Sequence, residues 1–115
     1  MTSEHAGALV VLADPFWFPH RKRLAALAIE HRLPAIFGGR FYAEAGGLIS
    51  YGANAPAMYR RGAYYVDKIL KGAEPADLPI ERPTKFELVI NLKTAQALGL
   101  AIPPTLLFQA DDVIR

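Results

Sequence analysis

The chain has 115 residues, room for one domain able to bury roughly two thirds of its unfolded surface. Hydrophobic residues at 52% and charged residues at 21% exclude a disordered chain, and a net charge of +2 with a pI near 9.0 gives little reason to expect a nucleic-acid or membrane partner. The absence of cysteine excludes disulfides and thiolate metal sites and leaves the compartment open.

The opening MTSEHAGALVVLADP has no basic segment followed by the roughly 7–15 apolar residues of a signal peptide. No run approaches the roughly 18 apolar residues of a membrane span, so the chain as written is expected to stay in the cytoplasm. ALVVLA, residues 8–13, is a continuous apolar run and predicts a strand covered on both faces, as in a parallel sheet. Asp14 and Pro15 then read as a helix start, although Pro19 delays or kinks that helix. Its regular part is expected from Pro19 to His31, with Leu24, Leu27, Ala28 and His31 on one face.

LPAIFGG, residues 33–39, predicts a second strand, and RFYAEAGG a short helix closed by Gly46 and Gly47. LISYG, residues 48–52, is a third strand candidate. Asn54 can cap the next helix, with Pro56 in its first turn and Met58, Gly62, Tyr65, Val66 and Ile69 along one side. Gly72 ends it. AEPADLPIERPT, with Pro75, Pro79 and Pro83, reads as an ordered linker. KFELVIN alternates and predicts a fourth strand, Asn91 caps a short helix LKTAQAL ended by Gly99, and the tail holds at most one helical turn. Strands alternating with helices imply an α/β fold with a small, mostly parallel sheet flanked by helices.

The sets that carry catalysis are missing: no cysteine nucleophile, G-x-S-x-G elbow, P-loop, G-x-G-x-x-G or H-E-x-x-H is present, so no enzyme, no cofactor and no metal site is expected. His20 and His31 lie too far apart on one helix to share a metal, and Ser3 and Ser50 have no evident base. The cluster HRKR, residues 20–23, spreads around its helix and mostly faces water. Ligands of open α/β sheets bind beyond the carboxyl ends of the strands. The turns at that edge carry Asp14, Phe16 and Trp17 after the first strand and Gly38, Gly39 and Arg40 after the second. An apolar wall with few charged anchors suits a small zwitterionic or carboxylated ligand. On these residues alone two readings stand: such a site, or a helix cap with aromatics that only seal the sheet.

VVLADPFWFPHRKRLAALAIEHRLPAIFG, AGGLISYGAN and the block running from MYRRGAYYVDKILKG through KFELVINLKTAQALG to ADDVI resemble the C-terminal part of the ABC-transporter substrate-binding protein family, in the branch related to tryptophan/tyrosine-type solute-binding proteins. The resemblance covers essentially the whole chain. It implies the C-terminal lobe of a type I periplasmic-binding-protein fold, residues 1–115 forming one lobe fragment, with residues 54–72 a crossover helix and 73–85 a hinge or linker. Crossings between lobes would fall near Tyr51 to Asn54 and Leu78 to Thr84. It further implies a small-molecule solute, an ABC permease as partner, a periplasmic location for the full-length protein, and no catalysis. The turn with Asp14 would face the interlobe cleft, where Phe16 and Trp17 suggest an aromatic or otherwise apolar solute. The helix from Asn54 to Lys71 would pack on a lobe outside this chain, so the isolated chain is expected to self-associate, most simply as a dimer. A free-standing cytoplasmic α/β interaction or regulatory module is the alternative.

Overall fold

The computed structural model describes residues 5–115; Ser3 lies outside them. Five strands form one sheet in the order β1 (Leu9–Val11), β2 (Ala35–Phe37), β3 (Ile49–Ala53), β4 (Phe86–Asn91), β5 (Asp112–Ile114). β1, β2 and β3 run parallel, β4 is antiparallel to β3, and β5 is parallel to β4. The sheet is therefore mostly parallel, with one strand more than the pattern predicts. The fifth lies in the tail, where Pro104–Gln109 is helical (α5) and Asp112–Ile114 pairs with Val89, Ile90 and Asn91.

Paired residues share a face, so the register sorts the core. Val11, Phe37, Ser50, Val89 and Asp112 form one row across the sheet; Val10, Ile36, Ile49, Ile90 and Val113 form the next, on the opposite face. The first row lies under α1 (Arg21–Glu30) and α2 (Arg40–Glu44), where Phe37, Tyr42, Ala28 and Ala35 cluster with Leu9, Val11 and Leu24. Phe37 stacks on Tyr42 at 5.3 Å between ring centroids, and truncating such a buried Phe to Ala typically costs about 3–5 kcal/mol. Ser50 sits in this row with no accessible surface, which removes it as a nucleophile.

Two expectations need correction. β1 is not covered on both faces: Val10 is 66% exposed because no helix lies over its end of the opposite face. The first helix does not start at Asp14 or Pro19. Residues Phe18–His20 form a 3-10 turn and α1 begins at Arg21, because Asp14 spends its carboxylate on a local turn, accepting from the Phe16 N–H at 2.8 Å.

α3 (Ala55–Leu70) starts where Asn54 Oδ1 accepts from the Ala57 N–H at 2.9 Å, as the sequence predicts. It buries no residue and makes at most marginal contact with the sheet or the other helices. Its partner is the return segment, residues 73–85. The Arg61 guanidinium pairs with both Glu81 oxygens, and the Tyr65 hydroxyl donates to Pro79 O at 2.9 Å. Together they form an arm, and the chain measures 55 Å along its longest axis. Its radius of gyration is 17.5 Å, against about 13 Å for a compact chain of this size.

α4 (Leu92–Leu98) is bound to the body by polar groups rather than by large apolar ones. Asn91 Oδ1 accepts from the Thr94 N–H at 3.2 Å, and its Nδ2 donates to Ala43 O at 2.9 Å. The Thr94 hydroxyl donates to Gly46 O at 2.7 Å. Both side chains are buried, and their bonds reach carbonyls at and just after the end of α2, that of Ala43 fully buried. Gly99 ends α4 in the left-handed region at φ +70°.

Replacing Asn91 by Ala removes a cap and one bond accepted by the buried Ala43 O, which keeps the Gly46 N–H, so a loss of about 1–3 kcal/mol is expected in urea denaturation at unchanged m value. A loss within the roughly 0.5 kcal/mol scatter of surface substitutions would show that Asn91 does not join α4 to α2. The arm carries its own reporter. Arg61 holds the Glu81 carboxyl at about 2, below its usual 4.5. A depressed carboxylate stabilises the arm fully above pH 4.5 and loses that contribution as pH falls toward 2. Carbon-detected NMR of the Glu81 carboxyl should give a midpoint near 2 that rises toward 4.5 in Arg61→Gln. A midpoint already near 4.5 in the unaltered chain would show the pair unformed in solution.

Candidate functional site

The carboxyl ends of β1, β2 and β3 and the amino ends of β4 and β5 meet along one edge of the sheet. All six residues singled out in the sequence follow β1 or β2 at this edge. Backbone approach here is close. A Cβ on Gly38 would stand 2.9 Å from the Ala13 Cβ, and one on Gly52 would collide with Gly38 O. Glycine at 38 and 52 thus lets the loops after β1 and β2 and the end of β3 lie directly against one another. Gly39 meets no such neighbour; its backbone carbonyl accepts from the Tyr42 N–H.

The three consecutive aromatics divide. Phe18, half-exposed, packs edge-on to Phe41 and Tyr42, with the Arg21 guanidinium 4.4 Å from its ring centroid. Arg21 is therefore seated on Phe18 rather than simply facing water. Phe16 and Trp17 pack edge to face at 5.0 Å and stay at the surface, 65% and 38% exposed. Burial, followed by the Asp14 charge, holds the Tyr42 hydroxyl above its ordinary pKa.

Arg40 is fully engaged by carboxylates. Nε donates to Glu44 Oε1 at 2.8 Å, Nη1 to Glu87 Oε2 at 2.8 Å and Nη2 to Asp112 Oδ2 at 2.9 Å. Glu44, then Glu87 and Asp112, raise its pKa further despite partial burial. The three acids come from α2, β4 and β5, so one guanidinium gathers most of the edge. Asp111 beside them accepts from the Leu88 N–H at 2.8 Å.

On the other side of Glu87 lies a cavity of about 700 Å³ between the arm and the sheet edge. Met58, Arg61, Gly62 and Tyr65 of α3 line it on one side, Phe86, Glu87 and Asp111 on the other. The apolar stripe of α3 is thereby split: Met58, Gly62 and Tyr65 face this cavity, while Val66 and Ile69 are exposed. Tyr51 and Phe86 stack at 5.8 Å, both largely exposed. The sequence reading looked to the turns after the first two strands and missed this cavity. The alternation in LISYG and KFELVIN is the signal that puts Tyr51 and Phe86 on the face away from Ser50 and Val89. His20 and His31 flank α1 at its two ends, and among the described residues no group of three His, Cys, Asp or Glu could hold a metal ion.

The sequence model of the family described as ABC transporter substrate binding protein matches residues 1–114. A comparison with curated proteins finds no match. Among solved structures, a conserved domain protein from Vibrio cholerae is 27% identical with a TM-score of 0.88, over 96% of this chain and 38% of that one. The ABC domain in complex with L-Trp from Streptococcus pneumoniae is also 27% identical at a TM-score of 0.88, over 98% of this chain and 38% of its own. The ligand-free, open structure of CD0873, a substrate binding protein with adhesive properties from Clostridium difficile, shares the fold at 21% identity and a TM-score of 0.62, over 94% of this chain and 36% of that one. The chain thus spans well under half the length of each of these structures. With the match running over nearly every residue, the chain belongs to the ABC transporter substrate-binding protein family.

Proposed function

We propose that the chain is the C-terminal lobe of a solute-binding protein that serves an ABC importer on the periplasmic side, and that it binds without catalysing a reaction. The solute is small and aromatic or apolar, and it lies in a cleft between lobes. Asp14, Phe16, Trp17, Gly38, Gly39 and Arg40 form this lobe's share of that cleft. The observation that carries the reading is the pair Phe16 and Trp17, packed edge to face and left at the surface of the strand-end edge, next to a Phe18 that is itself half-exposed against Phe41 and Tyr42. An exposed aromatic pair beside a carboxylate offers a stacking surface and one charged anchor, which fits an amino acid with an aromatic side chain. The L-Trp-bound relative is consistent with that class. Residues 54–72 serve as the crossover helix and 73–85 as the hinge segment. Exposed Val66 and Ile69 on α3 supply a docking face for the other lobe, and this surface speaks against a free-standing module.

Amide and indole NMR titration with L-tryptophan and L-phenylalanine tests the site, since Trp17 is the sole tryptophan and its indole N–H is a resolved reporter. Shifts should concentrate at residues 14–18 and 38–40, and Asp14→Ala should weaken binding by about 1–3 kcal/mol. Unchanged affinity with a lower melting temperature would reduce Asp14 to a turn former. Without the other lobe, a second copy covers α3. Sedimentation of the isolated chain at micromolar concentration should give a dimer, and a monomer would remove that idea.

A further inference from the structure

The arm joins the body at two backbone points only: Asn54, directly after β3, and Lys85, directly before β4. These strands are neighbours, and Ala53 pairs with Phe86, so the two joints sit side by side and define a single pivot. Nothing in the packing fixes the angle at that pivot, because α3 buries no residue and meets the body only marginally. The arm is internally tied by Arg61–Glu81 and Tyr65–Pro79, so it would turn as a unit.

One side-chain chain crosses the pivot. Asn54 holds the first turn of α3 through its Oδ1, and its Nδ2 donates to Glu87 Oε2 at 3.3 Å. The same Glu87 oxygen accepts from Arg40 Nη1, and Arg40 is anchored on its other nitrogens by Glu44 and Asp112. The direction of α3 is thus linked, through one amide and one carboxylate, to a guanidinium fixed in the body. Arg40 and Glu87 side chains are 25% and 18% exposed, so water screens this bond less than it would a surface pair. A planar fork with donors in three directions is required; a lysine ammonium has no such fixed geometry.

We infer that Arg40 is a positioning residue: acting through Glu87 and Asn54, it sets the angle between the arm and the sheet and so the width of the cavity between them. Asn54 and Glu87 line that cavity and Arg40 does not, so its influence there is indirect. This role is independent of which solute the edge binds.

The chain lacks cysteine, so two introduced cysteines carry spin labels without background. Leu70→Cys, at the far end of α3, and Gln96→Cys, on α4, are both exposed positions. Pulsed dipolar spectroscopy should give one narrow distance distribution in the otherwise unaltered chain. Arg40→Gln should shift and broadly spread it, with Arg40→Lys restoring it only in part. Asn54→Ser is the second variant: serine still caps a helix, so α3 helicity by circular dichroism stays while the tie to Glu87 is lost, and the distribution should spread as in Arg40→Gln. If Arg40→Gln does not fold, Asn54→Ser decides alone. An unchanged distribution in a folded Arg40→Gln, with only a lower melting temperature, or an unchanged distribution in Asn54→Ser, would overturn the assignment.

Discussion

α1 and α2 cover one face of the sheet while the other is covered unevenly from strand to strand, and the character of the rest of the molecule depends on that asymmetry. Under α1 and α2, the row from Val11 through Phe37 and Ser50 to Val89 is sealed, with Phe37 and Tyr42 at its centre. On the opposite face burial runs from none to complete across the strands: Val10 at the β1 edge is exposed and Ile90 in β4 has no accessible surface. Each large apolar side chain left in water forgoes roughly 1.5–3 kcal/mol that burial would contribute. Val10, Leu12, Tyr51, Phe86, Val66 and Ile69 are all in this state. The fold therefore separates a finished core from surfaces suited to further burial.

The same separation divides firm from loose. In the body, buried Asn91 and Thr94 give their hydrogen bonds to carbonyls of the α2 segment, so α2, β4 and α4 cannot part without exposing or orphaning polar groups. In the arm, the ties between α3 and its own return segment are exposed ones. Regions with few buried apolar contacts open at low free energy. An edge made by the body and a cavity bounded by the arm consequently set a firmly tied surface beside a loosely tied one, which suits the proposed cleft.

Local physics was legible in the sequence wherever it was decisive. Asn54 and Asn91 cap their helices as read, Gly99 terminates α4, and the parallel strands follow from apolar runs bounded by proline and glycine. The errors share a cause, since each concerns a local signal with two outcomes or a distant partner. Asp14 before Pro15 could begin a helix or close a turn on Phe16, and the turn won because Pro15 and Pro19 interrupt the regular helix until Arg21. β5 is three residues long and begins with an acid; only its pairing with β4 makes it a strand.

Arg40 illustrates the limit most clearly. From the sequence it is a free guanidinium beside two glycines; in the fold it meets Glu87, 47 positions away, and Asp112, 72 positions away. No periodicity links residues that far apart, so its neutralisation was invisible. It also changes what the strand-end edge can offer. An incoming carboxylate would compete with three resident ones for the same nitrogens, in a cluster that already carries more negative than positive charge. A ligand in the proposed cleft would therefore meet the rings of Phe16 and Trp17 and backbone groups brought close by Gly38 and Gly52 before Arg40, which ties α2, β4 and β5 together.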